Sequence, residues 1–315
     1  FGVGAGASRL VTGNHPLYRD LEIRLARFKG QEKASVFGSG YLTNSGVIPS
    51  LVGPKDLIIL DELSHASTHA GTQLSGARIE KFAHNDPDHC RQILSEARAD
   101  YPRCLVLTEG VFSMDGDRGQ LGPLAELATQ YDAWLLVDDA HGFGVLGGGR
   151  GASFEDDPAP AIPLHMGTLS KAIGAYGGFI CAAKPVIDLI ETRARSLIYS
   201  TGLPPAVVAS ALAALDVIAA EPERVARPLA HARAFTTSLG MVAAESQIVP
   251  LVIGDSERTL NASAALEDRG YLVTAIRPPT VPDGTARLRI TFSAEHVADD
   301  VTGLADAVRE IGLAG

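Results

Sequence analysis

Short apolar runs alternate along the first two thirds of the chain with segments whose apolar positions recur every three or four residues. The runs predict buried strands, and the periodic segments predict amphipathic helices. The predicted strands span residues 34–37, 57–60, 104–108, 134–138, 164–167 and 178–182. The predicted helices lie near residues 16–28, 43–51, 64–74, 88–98 and 121–131, and Asn14 is expected to cap the first of them.

This alternation of strand and helix is typical of βαβ units, in which parallel strands are joined through helices. Such crossovers are right-handed almost without exception, so helices are expected on both faces of the sheet. The sequence therefore predicts an α/β fold with a large domain built on a mostly parallel sheet.

The pattern changes after Ser200. Pro204 and Pro205 open an alanine-rich helix, and Pro222 opens another. The rest of the chain predicts a strand at 248–253, a helix at 256–269, strands at 271–275 and 286–292, and a helix at 295–311. We therefore expect a large domain over 1–220 and a small C-terminal α+β domain over 221–315.

Composition narrows the class of protein. The 315 residues are 46% hydrophobic and 20% charged, which is ordinary for a globular chain. The net charge of -10 argues against a nucleic-acid partner or an anionic membrane surface. Three cysteines without a spacing pattern argue against a disulfide framework, and no secretory segment opens the chain, so a cytoplasmic location is expected. Since Phe1 is not a methionine, the natural start is expected upstream.

Reactive side chains follow the predicted strands. Asp138 ends one strand, and His141 comes three residues later; Thr168 and Lys171 follow the next strand, and Ser113 follows the strand at 104–108. Ligands of open α/β sheets bind beyond the carboxyl ends of the strands, so these residues are expected to meet there. A carboxylate, an imidazole and an amine together suit an aldehyde cofactor with a basic ring nitrogen, which predicts pyridoxal phosphate (PLP).

Each part of PLP has a candidate partner. Lys171 would form the Schiff base with the aldehyde, and Asp138 would keep the ring nitrogen protonated. His141 and Ser113 would hydrogen-bond the ring hydroxyl, and His65 would stack on the ring. The phosphate would take donors from Gly40 and Tyr41, before a helix, and from Thr168.

Simpler interpretations exist for each motif alone. Lys171 suits a solvated loop, the pair of Asp138 and His141 suits a metal site or a capped strand end, and His65 suits a helix cap. Their joint order favours PLP. The polar segment 84–90 resembles a metal cluster but is interpreted as a loop in which Asp86 or Asp88 caps the next helix, and no metal is expected. The glycines at 2–6 resemble a dinucleotide loop, but no strand precedes them.

Taken together, the motifs resemble the α-oxoamine synthases, PLP-dependent enzymes of fold type I. The resemblance covers essentially the whole chain. It is carried by SRLVTG at 8–13, GYLTN at 40–44, SHAS at 64–67, EGVFSMDGD at 109–117, DDAHG at 138–142 and GTLSKAIGAYGG at 167–178. The resemblance implies a decarboxylative condensation of an amino acid with an acyl thioester.

Segments 276–282 and 284–290 most resemble the members that use L-alanine and a pimeloyl thioester in biotin biosynthesis. The resemblance implies that Arg289 holds the amino-acid carboxylate, that Thr280 contacts substrate, and that Thr201 reaches the phosphate across the interface of a homodimer with shared active sites. It also implies that Lys171, His65, Asp138 and His141 act in catalysis, with Lys171 as the base that removes the α-proton.

Several alternatives stay open. The acyl group could be carried by coenzyme A or by a carrier protein, and the chain could be a ketobutyrate ligase or another glycine- or serine-using member. An aminotransferase and a PLP-binding scaffold subunit are the rival functions. Family members carry a further N-terminal segment, with an arginine near the acyl substrate, that the sequence does not include.

Overall fold

The computed structural model describes residues 2–313, so Phe1, Ala314 and Gly315, at the outer ends of the two predicted domains, lie outside the described residues. The chain divides into two compact units. One contains the residues up to Val111 together with Gly119–Glu221, and the other contains Phe112–Arg118 together with the chain from Pro222 onwards. The sequence pattern gives no indication that 112–118 belongs to the second unit. Its backbone is bonded there, because Ser246 Oγ donates to the Gly116 carbonyl at 2.7 Å.

A seven-stranded sheet forms the centre of the first unit. Its strand order is β1-β7-β6-β5-β4-β2-β3, and β7 runs antiparallel to both of its neighbours while β2 to β6 are paired in parallel. The strands are β1 (Lys33–Phe37), β2 (Leu57–Asp61), β3 (Arg78–Phe82), β4 (Cys104–Glu109), β5 (Trp134–Asp138), β6 (Leu164–Thr168) and β7 (Gly178–Ala182). The six predicted strands are all present within one or two residues of their expected ends.

The helices of the first unit are α1 (Pro16–Lys29), α2 (Gly40–Leu51), α3 (Ala66–Ser75), α4 (Pro87–Ala97), α5 (Leu121–Gln130), α6 (Lys184–Arg193), α7 (Arg195–Ile198) and α8 (Pro205–Ala220). Alternate residues of β2 and β4 to β7 pack against α2, α6 and α7 in one apolar core. The same strands bury their other face too, which explains why the sequence shows continuous apolar runs rather than alternation.

Two helix starts have caps that the sequence predicts, and the structure agrees with one of these predictions. Asp86 caps α4 by accepting from the His89 N–H at 2.9 Å, as one of the two expected carboxylates. The prediction of Asn14 as the α1 cap is wrong: His15 Nδ1 accepts from the Leu17 N–H at 3.2 Å. Pro16 occupies the first helical position, so the residue directly before it becomes the cap.

The sequence pattern missed β3, α6 and α7. Strand β3 lies at the sheet edge, and charged Arg78 and Lys81 are exposed, so its apolar signal is weak. Helix α6 buries only Ile187 and Ile190. The edge strand and this helix therefore show only a weak apolar pattern in the sequence.

The second unit contains an antiparallel sheet in the order β8-β10-β9, built from β8 (Ile248–Gly254), β9 (Thr274–Ile276) and β10 (Ala286–Thr291). Helices α9 (Pro222–Ser238), α10 (Ser256–Glu267) and α11 (Ala298–Glu310) complete it. Phe235, Leu288 and Phe292 lie in its core. Within residues 2–313 no single helix is long and apolar enough to cross a membrane. The length and composition of a membrane span are met only by two helices taken together, Pro205–Ala220 and Pro222–Ser238, which are bent at the break between them.

All three cysteines, Cys90, Cys104 and Cys181, are buried and outside any disulfide. Burial raises the pKa of the Cys90 and Cys104 thiols to about 12, so they are protonated near neutral pH. Since only a thiolate reacts or binds metal readily, these cysteines act as apolar packing groups. Among the described residues, no three His, Cys, Asp or Glu side chains form a group that could hold a metal ion.

Candidate active site

Asp138 ends β5 with a buried carboxylate. Its backbone is paired with Glu109 at the end of β4 and with Met166 on β6. Oδ2 accepts from Asn44 Nδ2 at 2.7 Å, and Oδ1 accepts from the Ala140 N–H at 3.1 Å. Burial raises the pKa of Asp138, and the two hydrogen bonds oppose that rise. The carboxylate is therefore oriented by two donors in a dry place, where a bound cation would favour its ionised form.

Asn44 connects Asp138 to α3. From α2, its Nδ2 also donates to Ser67 Oγ at 3.0 Å and lies 3.3 Å from Thr68 Oγ1. Its Oδ1 is buried and has no hydrogen-bond partner within the part of the chain that the structure describes. A buried amide oxygen without a donor is costly, so this atom is available to a polar group of a bound molecule.

His65 caps α3 and leaves its ring exposed. Its Nδ1 accepts from the Ser67 N–H at 3.2 Å and lies 2.7 Å from Ser67 Oγ. Because Ser67 Oγ already accepts from Asn44, its own hydroxyl proton is directed at Nδ1. These contacts fit the tautomer of His65 that carries its proton on Nε2 and presents that N–H at the surface of the site.

The loop after β6 carries Lys171 on a tightly bonded frame. Thr168 Oγ1 donates to the Gly177 carbonyl at 2.8 Å, and the Leu169 N–H donates to the same carbonyl at 2.9 Å. The Gly174 N–H closes a turn on the Lys171 carbonyl at 2.9 Å. Lys171 itself is exposed. The loop thus follows β6, the strand that pairs with Asp138 through Met166.

The start of α2 offers an anion site. Ser39 Oγ caps it by accepting from the Leu42 N–H at 3.1 Å. The first N–H groups of a helix have no partner within the helix and attract anions. A Cβ at Gly40 would lie 3.6 Å from Thr168 Oγ1, so the helix start and the Thr168 hydroxyl are neighbours. A Cβ at Gly178 would lie 2.7 Å from Gly40 N, so only glycine lets the helix start approach β7 this closely.

The remaining predicted residues are distributed over both units. His141 is half-buried in the turn after Asp138, and Thr201 is exposed in the first unit, where its backbone bridges to Ser8. Ser113, Thr280 and Arg289 belong to the second unit.

Within the second unit, Arg289 and Ser113 are in direct contact. Arg289 Nε donates to the Ser113 carbonyl at 2.5 Å, and Nη1 donates to Thr291 Oγ1 at 3.0 Å. Burial lowers the pKa of Arg289, although a guanidinium stays charged at any ordinary pH. Thr280 is exposed, and its N–H donates to the Arg277 carbonyl at 3.0 Å. The guanidinium of Arg289 is therefore held in a fixed orientation by Ser113 and Thr291.

Comparison with known proteins decides the family. Residues 3–308 match the model of aminotransferase class I and II. The chain belongs to that family. An 8-amino-7-oxononanoate synthase of Beijerinckia indica is 60% identical over 98% of this chain and 80% of its own length. Another, from Methylocella silvestris, is 60% identical over 99% of this chain and 89% of its own length.

Solved structures of the family agree. Serine palmitoyltransferase from S. paucimobilis, solved with a bound PLP adduct of myriocin, is 33% identical and superposes with a TM-score of 0.94 over 99% of this chain and 81% of its own. An 8-amino-7-oxononanoate synthase from Francisella tularensis is 25% identical with a TM-score of 0.78, over 94% of this chain and 87% of its own. The predicted α-oxoamine synthase family and PLP fold type I are thereby confirmed.

Sequence reasoning assigned no role to Asn44 or Ser67. Both occur in motifs that carry the resemblance, at 40–44 and 64–67, but nothing in their spacing indicates a shared contact. The available signal was that each is a polar residue near the start of a predicted helix that follows a buried strand.

Proposed function

We propose that this chain is an 8-amino-7-oxononanoate synthase. It condenses L-alanine with a pimeloyl thioester, releasing carbon dioxide and the free thiol, in biotin biosynthesis. The observation that carries this proposal is the identity of 56–60% to relatives of that name over nearly the whole chain. The decarboxylative chemistry requires a cofactor that accepts electrons from the α-carbon, which PLP supplies when bound.

The residues of the first unit fit PLP. Asp138 is a buried anion suited to a protonated ring nitrogen, and the orphaned Asn44 Oδ1 offers a further acceptor nearby. The α2 start at Gly40 and Tyr41, beside Thr168, suits a phosphate. His65 would cover the ring, and Lys171 would hold the aldehyde carbon.

The resemblance adds three residues to this binding site. His141 and Ser113 would donate to the ring hydroxyl, and Thr201 of one protomer would reach the phosphate bound by its partner. This role for Thr201 requires the homodimer with shared sites that the family implies. A cytoplasmic location fits the proposed pathway, and either coenzyme A or a carrier protein could carry the acyl group.

The protein's own groups then have distinct tasks. Lys171 would take the α-proton of alanine and later return a proton. Asp138 would pair, in its ionised form, with the protonated ring nitrogen of PLP and keep the proton there. His65 Nε2–H donates to the thioester carbonyl oxygen as negative charge develops there, because Ser67 keeps its other nitrogen unprotonated.

Arg289 is proposed to bind the alanine carboxylate through its two-pronged guanidinium. In Arg289→Lys, KM for alanine should rise by about 10–100-fold, because lysine keeps the charge but loses the fork. Steady-state kinetics with varied alanine check this, with KM for the thioester as the internal reference. Arg269→Lys, on the exposed surface of the same unit, is the control and should leave KM unchanged. An unchanged KM in the Arg289 variant would remove Arg289 from the carboxylate site.

A product assay tests the function directly. Alanine, glycine and serine are each incubated with pimeloyl, acetyl and succinyl thioesters, and the ketone products are identified by mass. Alanine with the pimeloyl thioester should give the highest kcat/KM. Highest turnover of glycine or serine would instead indicate a sister enzyme, and formation of pyridoxamine phosphate with a keto acid would indicate an aminotransferase. PLP binding without any product would indicate a scaffold subunit.

A further inference from the structure

A buried ion pair lies beside the proposed cofactor site. Lys29, the last residue of α1, places its Nζ 2.7 Å from Asp139 Oδ2. Both side chains are 0% exposed. Charges are removed from water only at a large cost, so a fully buried pair must be held in a well-defined geometry.

The protein encloses the Asp139 carboxylate almost completely. A Cβ at Gly110, Gly142 or Gly151 would lie 2.4, 2.2 or 1.7 Å from a carboxylate oxygen of Asp139. The Ala152 N–H donates to Oδ1 at 3.2 Å. Three backbone segments therefore approach this carboxylate so closely that only glycine is tolerated at each.

Aromatic rings complete the surroundings of the ammonium group. Lys29 Nζ lies 5.0 Å from the Phe143 ring centroid and 5.6 Å from that of Phe154. Ring faces attract a cation, most strongly away from water. The ammonium thus has a carboxylate and two rings as partners, and its side chain is 0% exposed.

Asp139 also anchors the backbone of the turn that follows β5. Its N–H donates to the Met166 carbonyl at 2.9 Å, and its carbonyl accepts from the Phe143 N–H at 2.9 Å. This turn carries Asp138 on one side of Asp139 and His141 on the other. Any displacement of Asp139 would move both residues that are proposed to contact PLP.

We infer that the Lys29–Asp139 pair is a positioning device that sets the turn 138–143 for PLP binding. This inference rests on the proposed function, because Asp138 and His141 are taken as the PLP contacts. Neither Lys29 nor Asp139 is proposed to touch the cofactor. Lys29 acts on the site through Asp139, and Asp139 acts through the backbone of its own turn.

The test compares Lys29→Met with the double variant Lys29→Met/Asp139→Asn. The single change leaves a buried carboxylate unpaired and should lower Tm, whereas the double change removes both charges and should recover most of that loss. The PLP dissociation constant, from spectroscopic titration of the apoprotein, should rise by about 10–100-fold in both variants, the usual size for loss of a supporting partner. In both, kcat should fall while KM for alanine changes less than about threefold.

Lys33→Met is the matched control. Lys33 lies on β1 and pairs with Asp188 and Glu191 at a partly exposed position, so PLP affinity should match that of the unsubstituted protein. If the double variant binds PLP as tightly as the unsubstituted protein, the pair has only a structural role and the inference is overturned. Absence of product from the unsubstituted protein would overturn the proposed function instead, while the PLP titrations would still decide the role of the pair.

Discussion

Lys171→Ala should abolish turnover, with kcat reduced by roughly 10⁴-fold, the upper range for loss of a general acid–base group. The loss should be this large because one amine serves both as the attachment point of the cofactor and as the base for the α-proton. Lys29, a buried lysine of the first unit, cannot replace it because its ammonium group is paired with Asp139. The measurement is steady-state product formation, together with the visible absorbance of the PLP-loaded protein.

The visible band should disappear in this variant because its lysine can no longer bond the aldehyde. Lys184→Ala is the matched control, since Lys184 is exposed at the start of α6 and pairs with Asp188. It should retain both the band and the rate. A Lys171→Ala protein that keeps the band of a lysine-linked cofactor would show that another amine carries PLP.

Asp138→Asn should lower kcat by roughly 10²–10³-fold, the range for removing one preorganised electrostatic partner. The carboxamide is nearly isosteric but has lost the charge that holds a proton on the ring nitrogen. It also has a single oxygen for two donors, Asn44 Nδ2 and the Ala140 N–H, so one hydrogen bond is lost. Kinetics and PLP titration check this, with Asp61→Asn, at the buried end of β2, as the control.

Comparison with Asp138→Asn also tests how the stability of the apoprotein depends on pH. Burial raises the pKa of Asp138 in the folded apoprotein above its unfolded value of about 3.9. The folded state therefore holds the proton on Asp138 more tightly than the unfolded state does. The resulting stabilisation is fully present below the unfolded pKa, and it is lost as the pH rises through the folded pKa. Relative to Asp138→Asn, the unsubstituted apoprotein should lose stability across that window.

Thermal unfolding of both apoproteins between pH 4 and pH 8 measures this difference. Added PLP should stabilise the unsubstituted protein most at the upper end of the range, where the ionised carboxylate gains a cationic partner. A Tm difference that is flat with pH would mean that Asp138 is not a buried ionisable group in the apoprotein.

Much of the fold could be predicted from the apolar pattern. A strand in the middle of a parallel sheet is buried on both faces, so β2, β4 and β5 stand out as continuous apolar runs. Edge strand β3, with exposed Arg78 and Lys81, lacks that signal and was missed. The ends of the elements in the second unit are predicted less well, since β9 begins at Thr274 rather than at 271.

The candidate site could be predicted in part for the same reason. Residues that follow buried strands meet at one sheet edge, so the order of Asp138, Thr168 and Lys171 along the chain is enough to bring them together. The roles of these residues remain proposals. What the order cannot indicate is which neighbouring side chain orients each of them.

By itself, then, the sequence determined the α/β architecture, the family and the reactive groups at the strand ends, because these depend on local pattern and on motif. Only the tertiary structure decided that Asn44 orients Asp138 across 94 positions and that Lys29 neutralises Asp139 across 110. It also decided the contact of His65 Nδ1 with Ser67 and the assignment of 112–118 to the second unit. These contacts depend on how whole helices pack on the sheet, and packing of distant segments leaves no periodic trace along the chain.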